Sequence, residues 1–453
     1  MQLSFGKDCV IHSTKRILGL NMKKQTHEVF GISPTILADS YVDRGNLDRE
    51  ISRKLRRPIH LALRGESKCG KSWLRQRNIP DAIVVQCRLK TTVLDIYIDI
   101  LSQLGINLIL EKTEKDTIKG VMEGSAEGGI GLLAKLKVKL GLETSEEEVI
   151  KKGNVGQDIN DLRFIAEIIN ESGRKVVIED FHYLKTHERQ TFAYDLKALW
   201  DYRCFFVIIG VWTKTNLLIF LNTDLSSRIE EIPISWSRTD LEQVIESGSN
   251  TLNVKFSDHI TRCILDDCYG NVGILQQLAL NILDETDIEE ECPTLTIIDN
   301  REKFIDAAMK YAEQLNSRYH KFAKDISSGI RRRTETTGIY AHAMAVIMDS
   351  SDDELIQGLE LDKIFKIASK RQSRILKGNL RTVLQKIEEL QVDSDDRGLV
   401  LSYNDATDEV TAIDRTILIY RKYITIKWPW EDLINEARDS FGEPGQIITN
   451  GSH

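Results

Sequence analysis

Apolar positions along the chain fall into short uninterrupted runs separated by longer stretches of helical period. Ile59-His60-Leu61-Ala62-Leu63, Ile83-Val84-Val85-Gln86-Cys87, Lys175-Val176-Val177-Ile178 and Phe205-Phe206-Val207-Ile208-Ile209 do not alternate with polar residues, which is the pattern of strands covered on both faces. Leu94, Ile96, Ile98, Leu101 and Leu104 form an amphipathic segment between them, and further helices are predicted around 158–170 and 190–200. Ahead of the first strand, Leu37, Tyr41, Leu47, Ile51 and Leu55 predict a helix-turn approach broken at Asp43-Arg44-Gly45. Strand-helix alternation of this kind predicts an α/β core with a mainly parallel sheet over 37–235, preceded by an N-terminal arm at 1–36.

The period then changes. Leu241, Val244, Ile245, Ile260, Ile264, Leu265, Leu275, Leu278 and Leu280, divided by Tyr269-Gly270-Asn271-Val272-Gly273, predict a helical lid over 236–292. A helical connector follows at 293–360, with helices at 301–328 and 338–349. From 361 to 450 the order is two helices, around Leu361–Ile367 and Leu380–Ile387, and then a hairpin from 398–403 and 410–413 about Asn404–Glu409. Helices followed by a hairpin predict an α+β winged-helix-like domain.

Residues 111–148 interrupt the alternation. Glycines at 120, 124, 128, 129 and 131 precede Ala134-Lys135-Leu136-Lys137-Val138-Lys139-Leu140, whose period of two suits a strand or hairpin with a lysine face in water. A surface excursion, a hairpin that docks an effector and membrane contact stay open for this insertion; Glu146-Glu147-Glu148 argues against the last.

Composition narrows the class. At 453 residues the chain exceeds what one core organises. A formal net charge of -8 argues against a uniformly basic coat for nucleic acid while leaving room for a local basic face. No run reaches the roughly 18 apolar residues of a membrane span, and the start lacks an export signal's apolar centre, so the cytoplasm is expected. Seven cysteines without a Cys-x-x-Cys pair indicate neither a disulfide scaffold nor structural zinc.

The chemistry begins where the first strand ends, at Gly65-Glu66-Ser67-Lys68-Cys69-Gly70-Lys71-Ser72. Glycines at both ends let backbone N–H groups curl around phosphate oxygens, and the following helix adds its positive end. Lys71 is placed to reach the β- and γ-phosphates and Ser72 to offer a hydroxyl to magnesium. ATP and Mg2+ are therefore the expected cofactors. Glu179-Asp180 ends a second apolar strand, with Glu179 read as the magnesium-side acid and Asp180 as the water-side acid, an assignment that a small shift of the turn would exchange. Thr213, Thr215 and Asn216 follow the strand ending at Gly210, where they either sense the γ-phosphate or cap a turn. Arg228 either reaches a neighbouring subunit's nucleotide or makes a local salt bridge, and Arg44 borders the adenine side.

On Tyr41-Val42-Asp43-Arg44, the 65–72 loop, Val176-Val177-Ile178-Glu179-Asp180, Ser227-Arg228-Ile229 and Gly270-Asn271-Val272-Gly273-Ile274, the chain resembles prokaryotic AAA+/STAND-type P-loop ATPases related to initiator and transposition-regulator ATPases. The resemblance covers roughly 37–290. It implies that the acids are a Walker B pair and that Arg228 is an arginine finger. Two departures bear on rate. The usual Asp-Glu order is reversed here, which points to slow hydrolysis. Gly273 and Ile274 stand where many AAA+ proteins carry a phosphate-sensing arginine, which points to a switch more than a motor.

Within 371–386, Arg371, Arg374, Lys377, Arg381 and Lys386 have no acid among them, so this face either contacts DNA phosphates or packs on protein. The expected protein is a homo-oligomeric regulatory ATPase acting on an effector or regulatory partner, in genome defence such as antiviral defence. A DNA-loading or transposition-regulator ATPase and a non-hydrolysing nucleotide-dependent scaffold are the alternatives.

Overall fold

The computed structural model describes residues 23–112, 118–124, 131–132, 162–212, 215–328, 338–391, 399–405, 407–424 and 427–439. The chain is a mixed α/β protein with a mainly parallel sheet, helical regions and an antiparallel sheet near its C-terminal end. It divides into two compact units, one from 1–42 with 237–311 and one from 43–236 with 312–453. The lysine-rich run at 134–140 lies outside the described residues.

The larger unit is built on five parallel strands. These are β1 (His60–Gly65), β2 (Ile83–Gln86), β5 (Val176–Glu179), β6 (Phe206–Gly210) and β7 (Ile229–Ile234), in the order β2-β5-β6-β1-β7. The uninterrupted apolar runs have a direct cause, because alternate residues enter two different cores. Ala62, Val176, Ile178, Phe206 and Ile208 face one core, and Leu61, Leu63, Val177, Val207 and Ile209 face the other. On the first face lie Ile96 and Ile100 of the helix Val93–Gln103, Ile165 and Ile169 of the helix Leu162–Ser172, and Phe192 and Leu196 of the helix Thr186–Asp201. The second face is covered by Leu47 and Ile51 of α1 (Leu47–Lys54) and Leu74 of α2 (Lys71–Asn78). β3 (Ile106–Lys112) pairs antiparallel with β4 (Ile118–Gly124), so the hairpin begins ahead of the expected insertion at 111–148.

The C-terminal part of this unit follows the long helix Arg301–Ser328, whose last residues belong to it. It contains Ile339–Asp349, β10 (Leu359–Glu360), Leu361–Arg371, Lys377–Gln385, β11 (Leu401–Asn404), β12 (Glu409–Ala412) and Thr416–Tyr423. Its antiparallel strands run in the order β10-β12-β11, so the short strand before the two helices closes against the hairpin that follows them. This is a winged-helix-like arrangement.

In the smaller unit, helices Arg238–Leu252, Asp258–Asp267 and Val272–Glu285 pack with a parallel pair, β8 (Val254–Phe256) and β9 (Thr296–Ile298). Residues 23–42 belong to it as well. The Phe30 ring lies on Gly248, where an added Cβ would stand 2.3 Å from Phe30 Cζ, and the Gly31 N–H donates to Gln276 Oε1 at 3.1 Å. No described helix is long and apolar enough to cross a membrane.

Candidate functional site

Because the five strands are parallel, their C-terminal ends share one edge of the sheet, where open α/β sheets bind ligands. The registers Arg64↔Gly210 and Ile178↔Ile208 put the 65–72 loop, Glu179-Asp180 and the Gly210 end of β6 on that edge. β6 separates β1 from β5, so the loop and the acids are two strand spacings apart, about 10 Å.

The loop turns on left-handed backbone at Lys68 (φ 61) and Gly70 (φ 86). Gly65 cannot carry a side chain there, since a Cβ would meet Cys69 Sγ at 2.6 Å and the Ile234 carbonyl at 3.1 Å. Helix α2 then starts from Gly70, which has no side chain to cap it, and the positive end of a helix suits an anion. Lys71 Nζ donates to the Gly65 carbonyl at 3.1 Å and to the Glu66 carbonyl. It thus lies along the rim of its own loop. Ser67 is half-buried and Ser72 exposed. A hydroxyl at the first turn of the helix and a carboxylate at the end of β5 are the kind of oxygen donors that a phosphate-bound magnesium ion takes. In this respect the residues fit Mg-ATP.

Glu179 is buried and accepts from Arg75 Nε at 3.1 Å. Arg75 is one helical turn beyond Lys71, on the same face of α2. Asp180 leaves the strand in left-handed backbone (φ 57), and its Oδ2 accepts from Gln86 Nε2 at 3.1 Å. The two acids therefore have different surroundings despite being adjacent. His182 completes this corner. Its Nδ1 accepts the Val211 N–H at 3.3 Å, tying the acidic turn to the segment after β6. Burial, and then the charges of Lys71 and Arg189, push its pKa down to about 3, so the imidazole is neutral near pH 7. Gly210 leaves room for Trp212 beside this corner, because a Cβ there would stand 2.5 Å from the Trp212 ring.

Asn216 is exposed, with left-handed backbone (φ 55). Its backbone N–H donates to Glu231 Oε2 at 3.1 Å, and that carboxylate also accepts from Trp212 Nε1 at 3.0 Å and Arg64 Nε at 2.9 Å. Glu231 on β7 therefore anchors the start and the end of the 211–216 segment. Thr213 lies outside the described residues.

Arg44 is buried with its guanidinium 4.0 Å from the centroid of Trp236, whose Nε1 donates to the Cys69 carbonyl at 2.9 Å. One indole thus joins Arg44 to the phosphate loop. Arg228 stands apart from this group. It precedes β7 at the opposite end of the sheet, where its carbonyl accepts the His60 N–H at 2.8 Å. Its guanidinium lies 4.9 Å from the Trp200 ring centroid and donates to the Asp224 carbonyl. Gly65 lies level with Ile234, six residues along the strand from Arg228, about 20 Å away.

The five basic residues of 371–386 are exposed. Arg371 pairs with Asp349 at 2.9 Å, Lys377 with Asp362 and Arg381 with Asp408. Acids from other segments thus face three members of a run that contains no acid itself. Trp236, Arg75, His182 and Glu231 are absent from the sequence reading. Only Arg75, at the i+4 position from Lys71, carries a local signal that points to the site.

No family model matches the sequence, and no curated protein matches it. Among solved structures, the chain is similar to the Walker-type ATPase of Pyrococcus abyssi, with 12% identity, 88% of this chain and 100% of that chain covered, and a TM-score of 0.47. It is similar to the Aeropyrum pernix ORC1 protein, solved in complex with DNA, at 10% identity, with 88% and 93% covered and a TM-score of 0.39. It is also similar to a signal transduction ATPase with numerous domains from Pyrococcus horikoshii, which has a tetratricopeptide repeat sensor. The identity there is 12%, with 91% of this chain and 46% of that chain covered and a TM-score of 0.36. The similarity to all three is one of structure, at low sequence identity.

Proposed function

We propose that this chain is a regulatory ATPase that binds Mg-ATP, hydrolyses it slowly and uses nucleotide-linked association of its copies to control a partner, in the setting of genome defence. The observation that supports it best is the common sheet edge, which carries the 65–72 loop, the start of α2 at Gly70 and the Glu179-Asp180 turn. Loop amides and Lys71 hold the phosphates. Ser72 and Glu179 are the oxygen donors offered to magnesium, which when bound supplies charge neutralisation at the β- and γ-phosphates. Asp180, with its Oδ2 held by Gln86, orients and deprotonates the attacking water. Arg228 lies too far from its own loop to act there and serves a neighbouring copy.

The test is a titration of Mg-ATP with phosphate release measured on the same samples. The parent binds and turns over, Lys71→Ala loses binding in a folded protein, and Asp180→Asn binds but turns over at least about tenfold more slowly. Unchanged affinity in Lys71→Ala would remove the phosphate site.

A DNA-loading role is the second reading. It is supported by the helix pair Leu361–Arg371 and Lys377–Gln385 beside a three-stranded antiparallel sheet, a shape that enters a DNA groove. The acids facing Arg371, Lys377 and Arg381 weigh against it.

A further inference from the structure

The phosphate loop carries two charged residues between its glycines, Glu66 and Lys68, and both face residues from the far end of the same compact unit. The Glu66 carboxylate pairs with Arg415. Lys68 is held in left-handed backbone near Asp414 and Arg318; burial lowers its pKa, Asp414 opposes that shift and Arg318 adds to it.

Asp414 and Arg415 form the turn between β12 and the helix Thr416–Tyr423, and the turn is fixed from several sides. Asp414 Oδ1 accepts from the Thr416 N–H at 3.1 Å and its hydroxyl at 2.6 Å, and Oδ2 pairs with Arg318 at 2.5 Å. Since the Thr416 hydroxyl gives its proton to Asp414, the Tyr319 hydroxyl is the donor in the buried Tyr319–Thr416 bond. Arg415 is therefore presented to the loop by a frame that the long helix also braces.

Glu66 holds two cations at once, Lys71 at its carbonyl and Arg415 at its carboxylate, so the two lie within one residue's length of each other. Around the loop, Arg415 meets the Glu66 carboxylate, Lys71 the Glu66 carbonyl and Arg318 the Asp414 carboxylate, with Lys68 near the last pair. Arg415 thus stands at the place where the proposed function puts a polyphosphate. A guanidinium fork suits a phosphate as well as a carboxylate, and the terminal phosphate carries more charge than Glu66 does.

We propose that Arg415 is a nucleotide-binding residue, supplied to the phosphate loop by the C-terminal part of the same chain, and that Glu66 is the anion it leaves when a nucleoside triphosphate binds. The assignment rests on reading the 65–72 loop as a Mg-ATP site. It makes the winged-helix-like region part of that site and favours triphosphate over diphosphate.

The two ends of the ion pair give opposite expectations. Mg-ATP and Mg-ADP are titrated into the full chain, Arg415→Gln and Glu66→Gln, with a thermal melt of each. Arg415→Gln weakens Mg-ATP binding by about tenfold and Mg-ADP binding less, whereas Glu66→Gln tightens Mg-ATP binding because the competing carboxylate is gone. A pair that only ties two segments together would shift affinity in the same direction from either end. That outcome, or parent-like ATP affinity in a folded Arg415→Gln, overturns the assignment. Lys71→Ala separates the two levels. If the parent binds Mg-ATP, Lys71→Ala does not and Arg415→Gln matches the parent, only this inference fails; if the parent does not bind, the nucleotide reading fails with it.

Discussion

Arg75 and Glu179 join the helix after the phosphate loop to the strand that ends in the acidic pair, with Arg75 Nε 3.1 Å from Glu179 Oε1 and both side chains largely buried. The pair sets the orientation of the acid assigned to magnesium before any nucleotide arrives. Replacing Arg75 with Met leaves a buried carboxylate without this partner. A loss of about 2 kcal/mol in denaturant stability is expected, with weaker magnesium dependence of ATP binding. A stability unchanged from the parent would mean that Glu179 is solvated or paired by another route.

The parallel core is legible in the sequence because a sheet buried on both faces requires unbroken apolar runs, and Val176–Ile178 and Phe206–Ile209 show them. The phosphate loop is legible because glycine is needed where Gly65 touches Ile234 and where Gly70 takes positive φ. Contacts across long separations are not. Trp236 is 167 residues from Cys69, whose carbonyl it binds, and nothing around Ser235-Trp236-Ser237 announces that partner. Likewise the 371–386 run contains no acid, and its sequence does not say that Asp349, Asp362 and Asp408 meet it from other segments. Tertiary placement alone decides such pairs.

Stability is expected to fall in mild acid through His60. Its imidazole is fully buried, with the proton on Nε2 shared with the Leu196 carbonyl at 2.9 Å and Nδ1 accepting the Phe206 N–H at 3.0 Å. A second proton has no acceptor there, and burial lowers the pKa to about 4. In the unfolded chain the ring titrates near 6.5, so between about 6.5 and 4 the unfolded state binds more protons and stability declines as pH falls. From pH 7 to pH 5 the His60 share is about 2 kcal/mol. Urea midpoints of the parent and His60→Gln at both values check this, and the same pH slope in the two proteins would reject it.

If DNA is a ligand, the acids facing the basic run act as its brake. Asp362→Asn and Asp408→Asn each release a cation, Lys377 and Arg381 respectively, for phosphate contact. The double variant is expected to bind duplex DNA more tightly and to steepen the dependence of log affinity on log salt by up to about 2, while neutral residues at Arg374, Lys377 and Arg381 flatten it. Equal slopes across parent and variants would leave this face to protein packing.

The last expectation concerns catalysis between copies. Arg228 sits on the Trp200 ring at the end of the sheet remote from its own phosphate loop, so a catalytic contribution from it has to reach a second chain's nucleotide. A guanidinium placed on a neighbour's γ-phosphate stabilises both the developing charge and the ATP-bound contact, which couples assembly to turnover. Arg228→Ala should bind nucleotide as the parent does when monomeric, yet lose most ATPase activity. Loss of its ring contact lowers stability by about 1 kcal/mol, too little to explain that loss. Mixing supplies the decisive measurement. Arg228→Ala and Asp180→Asn are each expected to be defective alone, but in mixed oligomers some interfaces join an intact Asp180 site to an intact Arg228 donor, and activity should partly return. Native mass measurement establishes that mixing has occurred. Mixed oligomers without recovered activity would confine Arg228 to its place on Trp200 and leave each site to its own chain.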